Sequence, residues 1–332
     1  LAESQQGNAL LSFFGKLSYD LDQKYFASVT LRRDGSSRFG ASNRYGNFYA
    51  GSLGWRIDRE SFLKNTQWLD KLFLRGGYGV VGNQEIPNYA FSDQYGVMYN
   101  YPFGGAKNIG YAVSQLGNAN IKWESSNQLN IGTDIAIWNG KLSASIDYFS
   151  KITSDLLNNQ PIATSAGLAA SPIVNNGKIL NRGFEFSLSY TDKIGELSYT
   201  ISPNAGLLHN EVLSVNSPIP GGLYGSQYVT LTEKGYPVGS FYMLEMSGIF
   251  QNATDIFTNA VQGPSTGISR IQPGDVKFKD QNGDGVIDQN DRKHVGSAIP
   301  KISGGLNFSA SYKGFDLSVF FQGAYGQKIL SV

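Results

Sequence analysis

The chain has 332 residues, and its 27 basic and 26 acidic side chains leave a formal charge of +1 with no cysteine present. The charge balance argues against nucleic acid as the main partner, which requires a basic stripe, and the absence of cysteine excludes disulfides and thiolate metal sites. Charged residues make up 16%, against about 25% in an average soluble domain, while 40 glycines and 13% aromatic residues are high values.

Period-two alternation of apolar and polar residues predicts ten strands along the chain. In the clearest of them, Leu129, Ile131 and Ile135 alternate with Asn130 and Asp134. The predicted strands are Leu11–Tyr19, Lys24–Arg33, Tyr45–Ile57, Lys71–Val81, Asn127–Ile137, Leu142–Phe149, Phe184–Tyr190, Leu197–Ser202, Leu306–Tyr312 and Phe315–Phe321.

Asn139-Gly140 marks a hairpin between the fifth and sixth strands. Asn-Gly is the strongest short hairpin signal, because a type I′ turn needs a positive φ at both central residues. The flanking strands are about ten residues long, which is long for a globular protein but suits a tilted crossing of a bilayer. The isoleucines of this hairpin are therefore expected to face lipid.

The connections between strands alternate between short and long. Short turns follow the first, fifth, seventh and ninth strands, a modest connector follows the third, and long loops follow the second, fourth, sixth and eighth. Outer-membrane barrels have short periplasmic turns and long extracellular loops. The pattern predicts an all-β, antiparallel up-and-down transmembrane β-barrel, present here as about ten strands, with an extracellular loop over about 210–300.

The two registers of the strands differ in a way that favours a membrane wall. Polar residues fill one register of the strands. In a dry core, each polar group without a hydrogen-bond partner would cost a few kcal/mol of folding free energy. We therefore expect Asn130, Asp134, Ser143, Ser145 and Asp147 to line a wet lumen. Aromatic residues of the apolar register lie near short turns, where a girdle at the membrane interface is expected. They are Tyr19, Tyr25, Tyr190, Tyr199, Tyr312 and Phe315.

The sharpest local motif is the segment 280–291, DQNGDGVIDQND, which matches a calcium-binding loop. Asp291 stands where such loops usually place a bidentate Glu, and no helical pattern flanks the segment. The spacing predicts a structural Ca²⁺ site that stiffens an external loop, and a polar turn without metal is the alternative. The candidate ligands, with Val286 acting through its main-chain carbonyl, are Asp280, Asn282, Asp284, Val286, Asp288 and Asp291.

Two other patterns carry less information. The segment 77–82 fits the dinucleotide fingerprint GxGxxG, but no helical pattern follows it, and the phosphate site needs that helix N-terminus. Arg32, Arg33, Arg38 and Arg44 surround Asp34 and are expected in solvent unless they meet an acidic substrate or lipopolysaccharide phosphates.

Several stretches of the chain match a known family. They are LRRDGSSRFG followed by NRYG, LRGGYGVVGNQEIPNY, WESSNQLNIGTDIAI, NRGFEFSLSY, GDVKFKDQNGDGVIDQNDR and GGLNFSASYKGFDLSVFFQGAYG. These stretches resemble the SusC/RagA family of TonB-linked outer-membrane proteins (TonB-dependent receptors). The resemblance covers nearly the whole chain in the order of the family.

The resemblance implies a Bacteroidetes-type importer of the bacterial outer membrane, with a barrel of about 22 strands and an N-terminal plug. Such proteins work with a SusD-like surface lipoprotein, draw energy from the TonB–ExbB–ExbD system, and take up oligosaccharides or oligopeptides. Residues 1–332 are then expected to be a C-terminal-half portion of the barrel, without the plug, within outer-membrane lipid.

Two other classes of function remain as alternatives. One is a soluble or surface-attached glycan-binding β-protein whose loops are stiffened by calcium. The other is a calcium-dependent carbohydrate enzyme, which lacks an identifiable acid/base pair. The only histidines are His209 and His294, so a histidine-based active site has little material. We therefore expect a protein that is not an enzyme.

Overall fold

The computed structural model describes residues 7–160, 162–163, 165, 170–225, 227–263 and 271–331. The chain forms two compact units. The first, Leu1–His209 with Ile302–Gly323, is called the wall unit here, and the second, Asn210–Lys301 with Ala324–Val332, the loop unit. Among the described residues, no helix has both the length and the apolar character that a membrane crossing requires.

Strands dominate both units. Among the residues that the structure describes, short 3-10 turns lie at Ala41–Asn43, Ile57–Arg59 and Gln289–Asp291, and an α-helix, α1, spans Ala253–Thr258. The strands are β1 Leu10–Leu21, β2 Tyr25–Ser36, β3 Tyr45–Arg56, β4 Leu69–Asn83, β5 Gln94–Phe103, β6 Ala106–Gln115, β7 Glu124–Ile137, β8 Leu142–Ser154, β9 Leu157–Asn159, β10 Ile173–Asn175, β11 Lys178–Ile194, β12 Leu197–Ser214, β13 Ile219–Tyr224, β14 Gln227–Thr232, β15 Ser240–Leu244, β16 Met246–Ile249, β17 Val261–Gln262, β18 Val276–Phe278, β19 Val286–Ile287, β20 Arg292–Gly296, β21 Ile302–Tyr312 and β22 Phe315–Tyr325.

Ten strands of the wall unit form one sheet in the order β1-β2-β3-β4-β7-β8-β11-β12-β21-β22. Each neighbour in the sheet is the next wall strand along the chain, so the predicted up-and-down order is confirmed. Short connections lie on one side of the sheet, the turn side, and long connections lie on the other, the loop side. The predicted positive φ at both turn residues is confirmed, since Asn139 has a φ of 56° and Gly140 a φ of 75°. Trp138 before them has a φ of 59° as well.

One face of this sheet is apolar and open. Leu53 is 70% exposed and Leu17 is 75% exposed, although both lie within strands that are paired on the sheet. On β7, Leu129 and Ile131 belong to the same face and are exposed as well. The apolar register predicted from the sequence therefore forms a continuous surface that the other described residues leave uncovered.

Buried apolar side chains of the wall unit gather on the loop side. Trp123 packs against Phe39 and Phe48, with ring centroids 5.1 Å and 5.4 Å apart. Phe39 and Ile121 are fully buried. This cluster, called the loop-side core, consists of Phe39, Phe48, Ile86, Ala90, Ile121, Trp123 and Ile173.

The long connections contain strands that alternation did not predict. The hairpin β5–β6 lies within the predicted loop 82–121. Within the predicted loop 210–300, β13, β14, β15 and β20 form a four-stranded antiparallel sheet. Asn252 caps α1 by accepting a hydrogen bond from the Asp255 N–H at 2.9 Å. The loop unit is therefore a folded body of its own.

Candidate functional site

The second face of the ten-stranded sheet, called the polar face here, is lined with hydrogen-bonding side chains. Ser28 and Ser52 lie opposite each other on β2 and β3, and their hydroxyl oxygens are 2.7 Å apart. Ser189 and Ser202 make the same contact between β11 and β12 at 3.0 Å. These cross-strand pairs satisfy polar groups along the wall and leave lone pairs for water or a polar ligand.

A charge cluster stands at the centre of the polar face on β4, β7 and β8. The Arg75 guanidinium contacts both carboxylate oxygens of Asp147 at 2.7 Å and Asp134 Oδ1 at 3.3 Å. Lys71 Nζ contacts Asp134 Oδ2 at 3.1 Å. The Ser145 hydroxyl donates toward Asp134 and Asp147 at 3.1 Å and 3.0 Å. Two positive and two negative groups are thereby balanced within one network.

A glycine creates the space for this cluster. Gly132 lies between Arg75 on β4 and Asp147 on β8 in the sheet register. A Cβ atom at Gly132 would stand 2.1 Å from Asp147 Oδ1 and 3.0 Å from Arg75 Cζ, so a side chain at this position displaces the ion pair. Because Gly132 on β7 has no side chain, Arg75 on β4 and Asp147 on β8 can form their ion pair across β7.

The polar residues predicted for this face lie on it, but only some of them meet. Asp134, Ser145 and Asp147 join the charge cluster. Asn130 accepts a hydrogen bond from Gln128 at 3.1 Å instead, and Ser143 lies opposite Ser189 in the register. Arg75, which links the two aspartates, was not identified from the sequence. Its parity with Phe73 and Gly77 places it on the polar register, and only the strand pairing reveals its partners.

The predicted arginine group does not form a common site. The Arg32 Nε donates to the Asp34 carboxylate at 2.7 Å, and the Arg33 guanidinium lies 4.9 Å from the centre of the Tyr45 ring. The Arg38 guanidinium contacts Glu85 at 3.5 Å. These three arginines have separate partners, and Arg44 accepts a hydrogen bond from the Trp123 Nε1–H through its main-chain carbonyl at 3.3 Å. The segment 77–82 lies within strand β4 and does not precede a helix, so the helix N-terminus that a dinucleotide phosphate site needs does not follow it.

In the predicted calcium loop, the carboxylates accept hydrogen bonds from the loop's own amides. Asp280 accepts from the N–H groups of Gly283 and Gly285, at 2.7 Å and 2.8 Å. Asn282 Oδ1 accepts from the Asp284 N–H at 2.9 Å. Asp288 accepts from Asn290, and Val286 donates its N–H to Asp284 Oδ1. The two glycines have φ values of 78° and 82°, which give the loop its sharp turns.

Asp291 closes this loop. Its carboxylate is fully buried and accepts hydrogen bonds from the N–H groups of Asp288 and Gln281. These bonds, that of Asp288 foremost, lower the pKa of Asp291 although burial acts in the opposite direction. Over the part of the chain that the structure describes, no three acidic or histidine side chains converge as metal ligands. The Ca²⁺ site thus stays a prediction.

A buried histidine stands in the loop unit and was not predicted to matter. The His294 ring stacks on Tyr236 with centroids 3.6 Å apart, and its Nδ1 lies 2.5 Å from the hydroxyl of Ser240. Its Nε2 lies 3.5 Å from a carboxylate oxygen of Glu233. Ser240 is itself buried and contacts the Leu231 carbonyl, so this arrangement joins strands β14, β15 and β20 and exposes no nucleophile.

Comparison with known proteins assigns this fold to a family. Residues 2–326 match the family described as TonB dependent receptor-like, beta-barrel. The chain is 34% identical over 335 residues to TonB-dependent receptor P3 of Formosa agariphila, covering 97% of this chain and 32% of that protein. It is 32% identical over 339 residues to TonB-dependent receptor SusC of Bacteroides thetaiotaomicron, covering 94% of this chain and 30% of that protein.

A solved structure agrees with these matches. The structure of the RagAB peptide transporter superposes with a TM-score of 0.80 at 28% identity, over 96% of this chain and 33% of that one. The chain spans about a third of the length of the relatives it matches. The family consists of outer-membrane receptors and not of enzymes, which accounts for the open apolar face. The chain belongs to the TonB-dependent receptor family of the SusC/RagA type.

Proposed function

We propose that the intact protein imports oligosaccharides or oligopeptides across the outer membrane. In this proposal a SusD-like surface lipoprotein captures the cargo, and the TonB–ExbB–ExbD system drives its passage. The polar face with its charge cluster is the observation that carries the proposal, because a wall facing a hydrated passage needs satisfied polar groups on its inner side. The likeness to a structure described as a peptide transporter supports the same class of activity.

The charge cluster has a definite place in this proposal. Its two cations and two anions compensate each other, so it presents hydrogen-bonding edges without net charge to whatever fills the lumen. Because Arg75 bridges Asp134 and Asp147, the cluster also holds β4, β7 and β8 in register. Cargo choice then depends on loops, which carry specificity in most scaffolds.

Growth of the source bacterium tests the proposal. A strain without the gene is grown on single oligosaccharides or oligopeptides as the sole carbon source and complemented with the full-length gene. We expect growth on one of these classes to be lost and then restored. Deletion of exbB in the complemented strain should abolish the same growth. Unchanged growth of the gene deletion on all of them contradicts import of such cargo.

We also propose that the loop 280–291 binds Ca²⁺ and that the ion stiffens it. Each carboxylate oxygen has more than one lone pair, so the amide bonds to Asp280 leave acceptor capacity for a cation. Calcium prefers such oxygen ligands, with a main-chain carbonyl among them. The candidate ligands are Asp280, Asn282, Asp284, Asp288, Asp291 and the carbonyl of Val286.

Calorimetric titration of the metal-free, detergent-solubilised protein with CaCl₂ tests this site. We expect one saturable binding event that Asp284→Asn weakens. Asp275→Asn serves as a matched control, since Asp275 lies outside the loop and accepts only the Gln272 N–H among side-chain contacts described for it. Equal binding heats for both variants and the unmodified protein contradict a calcium site in the loop.

The exposed apolar face argues against the alternative of a soluble or surface-attached glycan-binding β-protein. The apolar face of the wall leaves large side chains such as Leu53 and Leu17 mostly uncovered over many strands. Soluble monomers rarely expose such patches beyond a few hundred Å².

A further inference from the structure

The apolar face contains a groove near the turn side of the wall. Its volume is about 590 Å³, within the ~300–1,000 Å³ range of small-molecule sites. Nearly all of its lining is apolar. The side chains that form its walls are Tyr19, Tyr25, Leu53, Trp55, Leu74 and Ile131.

Two small residues form the floor of the groove. In the sheet register, Ala27 lies between Tyr19 and Leu53, and Gly76 lies between Leu53 and Ile131. All five belong to one row across the apolar face, in which large and small side chains alternate. A Cβ atom at Gly76 would meet only the Asn130 carbonyl, at 3.9 Å. The groove is therefore open space above two short residues and is not a gap left by a misplaced side chain.

At the turn-side end of the groove, the Glu60 carboxylate fixes two aromatic rings. Tyr25 and Trp55 stack with centroids 6.5 Å apart and an interplanar angle of 16°. The Tyr25 hydroxyl donates to Glu60 Oε1 at 2.5 Å, and the Trp55 Nε1–H donates to the same oxygen at 3.0 Å. Both rings are thus fixed with their polar edges toward the turn side, as expected of aromatic residues at a membrane interface.

Cationic groups stand beside this end. Lys24 Nζ contacts Glu60 Oε2 at 3.5 Å, and its side chain stays 31% exposed. The Arg59 guanidinium donates to the main-chain carbonyl of the neighbouring Gln23 at 3.3 Å. Lys24 pairs with Glu60, and Arg59 also donates to the side-chain oxygen of Gln23. These contacts use only some of the three N–H groups of lysine and the five of arginine, so both cations keep donors for an anionic group next to the aromatic rings.

We propose that this groove binds one acyl chain of a glycerophospholipid from the periplasmic leaflet, with the phosphate at Lys24 and Arg59. The groove is continuous with the lipid-facing surface of a membrane wall, so hydrocarbon is the medium that fills it. Its position on the turn side assigns the periplasmic leaflet, because short turns face the periplasm in these barrels. The cations complement a phosphate. This proposal depends on membrane location and is independent of the imported cargo.

Native mass spectrometry of the full-length protein, purified from outer membranes in mild detergent, tests the proposal. We expect a retained phospholipid in the unmodified protein. Gly76→Leu fills the floor and should lower the affinity for added phosphatidylglycerol about tenfold, which corresponds to about 1.4 kcal/mol. Gly51→Leu is the matched control, since Gly51 lies on the same face outside the groove and its Cβ would meet only a carbonyl at 3.7 Å.

Further variants and measurements identify the class of the bound lipid and control for misfolding. Ala27→Leu replaces Gly76→Leu if the latter does not assemble, as judged by heat-modifiable migration on gels. Combined Lys24→Gln and Arg59→Gln should weaken binding of the anionic lipid while the acyl site remains. Retention of lipid A in place of a phospholipid overturns the proposal. Equal retention in the Gly76, Ala27 and Gly51 variants overturns it as well.

Discussion

The wall and the loop-side core place the same kinds of residue in opposite surroundings. In the wall, Leu17 and Leu53 are 75% and 70% exposed, whereas Phe39 and Ile121 in the loop-side core are fully buried. Apolar side chains of the wall meet hydrocarbon, and those of the core meet one another. We therefore expect the apolar face of the wall to tolerate substitutions that change side-chain size but not substitutions that introduce a charge. In the loop-side core, we expect any substitution that removes side-chain volume to be destabilising.

The largest effect is expected from Trp123→Ala in the loop-side core. The ring packs on Phe39 and Phe48, and loss of a buried Trp side chain costs about 3–5 kcal/mol. Limited proteolysis of intact cells should cut the variant within 37–44 or 84–123 while the barrel still assembles. Trp138→Ala is the control, because Trp138 is half exposed at a short turn. Equal protease sensitivity of Trp123→Ala and Trp138→Ala would contradict the expectation that the loop-side core is more sensitive to loss of volume than the wall.

A somewhat smaller effect is expected from Ile131→Arg on the apolar face. Ile131 stands near the middle of β7, and an arginine facing lipid at mid-membrane costs about 2–4 kcal/mol. Asn130→Arg places the same charge on the adjacent residue of the polar face and should assemble normally. The measurement is the amount of heat-modifiable protein in outer-membrane fractions. Similar yields for both variants would show that the two faces are wrongly assigned.

A modest effect is expected from Gly132→Ala in the charge cluster. The added methyl group separates Arg75 from Asp147, and a partly exposed ion pair contributes up to about 1 kcal/mol. Gly77→Ala is the control, since its Cβ would make only ordinary contacts. Urea unfolding of the two variants in lipid vesicles measures the difference. A larger loss of unfolding free energy in Gly77→Ala than in Gly132→Ala would show that the ion pair is not the reason for glycine at position 132.

The smallest effect is expected from acidification, which should destabilise the connector 57–68 on the turn side through protonation of Asp58. Burial raises the pKa of Asp58, but hydrogen bonds from Arg56 and the Leu72 N–H outweigh burial and leave it below the usual 3.8. A depressed carboxyl pKa stabilises the fold above the unfolded value of about 3.9, and the contribution is lost as the pH falls through the folded value.

Hydrogen exchange between about pH 5 and about pH 3, corrected for its intrinsic pH dependence, checks this expectation. The connector 57–68 should open in acid, whereas the loop-side core around Trp123 should not. Asp58→Asn should remove the acid dependence of the connector. If the variant retains it, another group controls this segment.

The wall could be predicted because its signals are local. Alternation fixed which residues share a face, and the lengths of the connections fixed the order of the strands. Asn139-Gly140 predicted the position of its turn. Each of these features depends on residues a few positions apart, so a single sequence contains them.

The loop-side core could not be predicted, because its members lie far apart and follow no period. Phe39, Ile86 and Ile173 meet through three different connections. The charge cluster was half predicted, since parity placed Asp134 and Asp147 on the polar face. Arg75 lies 59 residues from Asp134 and 72 from Asp147, and only the pairing of β4 with β7 and β8 joins them.

The length of β11 has a consequence for where the loops act. Lys178–Ile194 contains 17 residues, which at about 3.3 Å each extend about 56 Å, or about 43 Å of height at a tilt of about 40°. The apolar band of such barrels is only about 25 Å tall. With Tyr190 at the turn-side interface, as the sequence predicts, the excess height rises on the loop side. The loop ends of β11 and its neighbours are therefore expected to rise above the lipid headgroups.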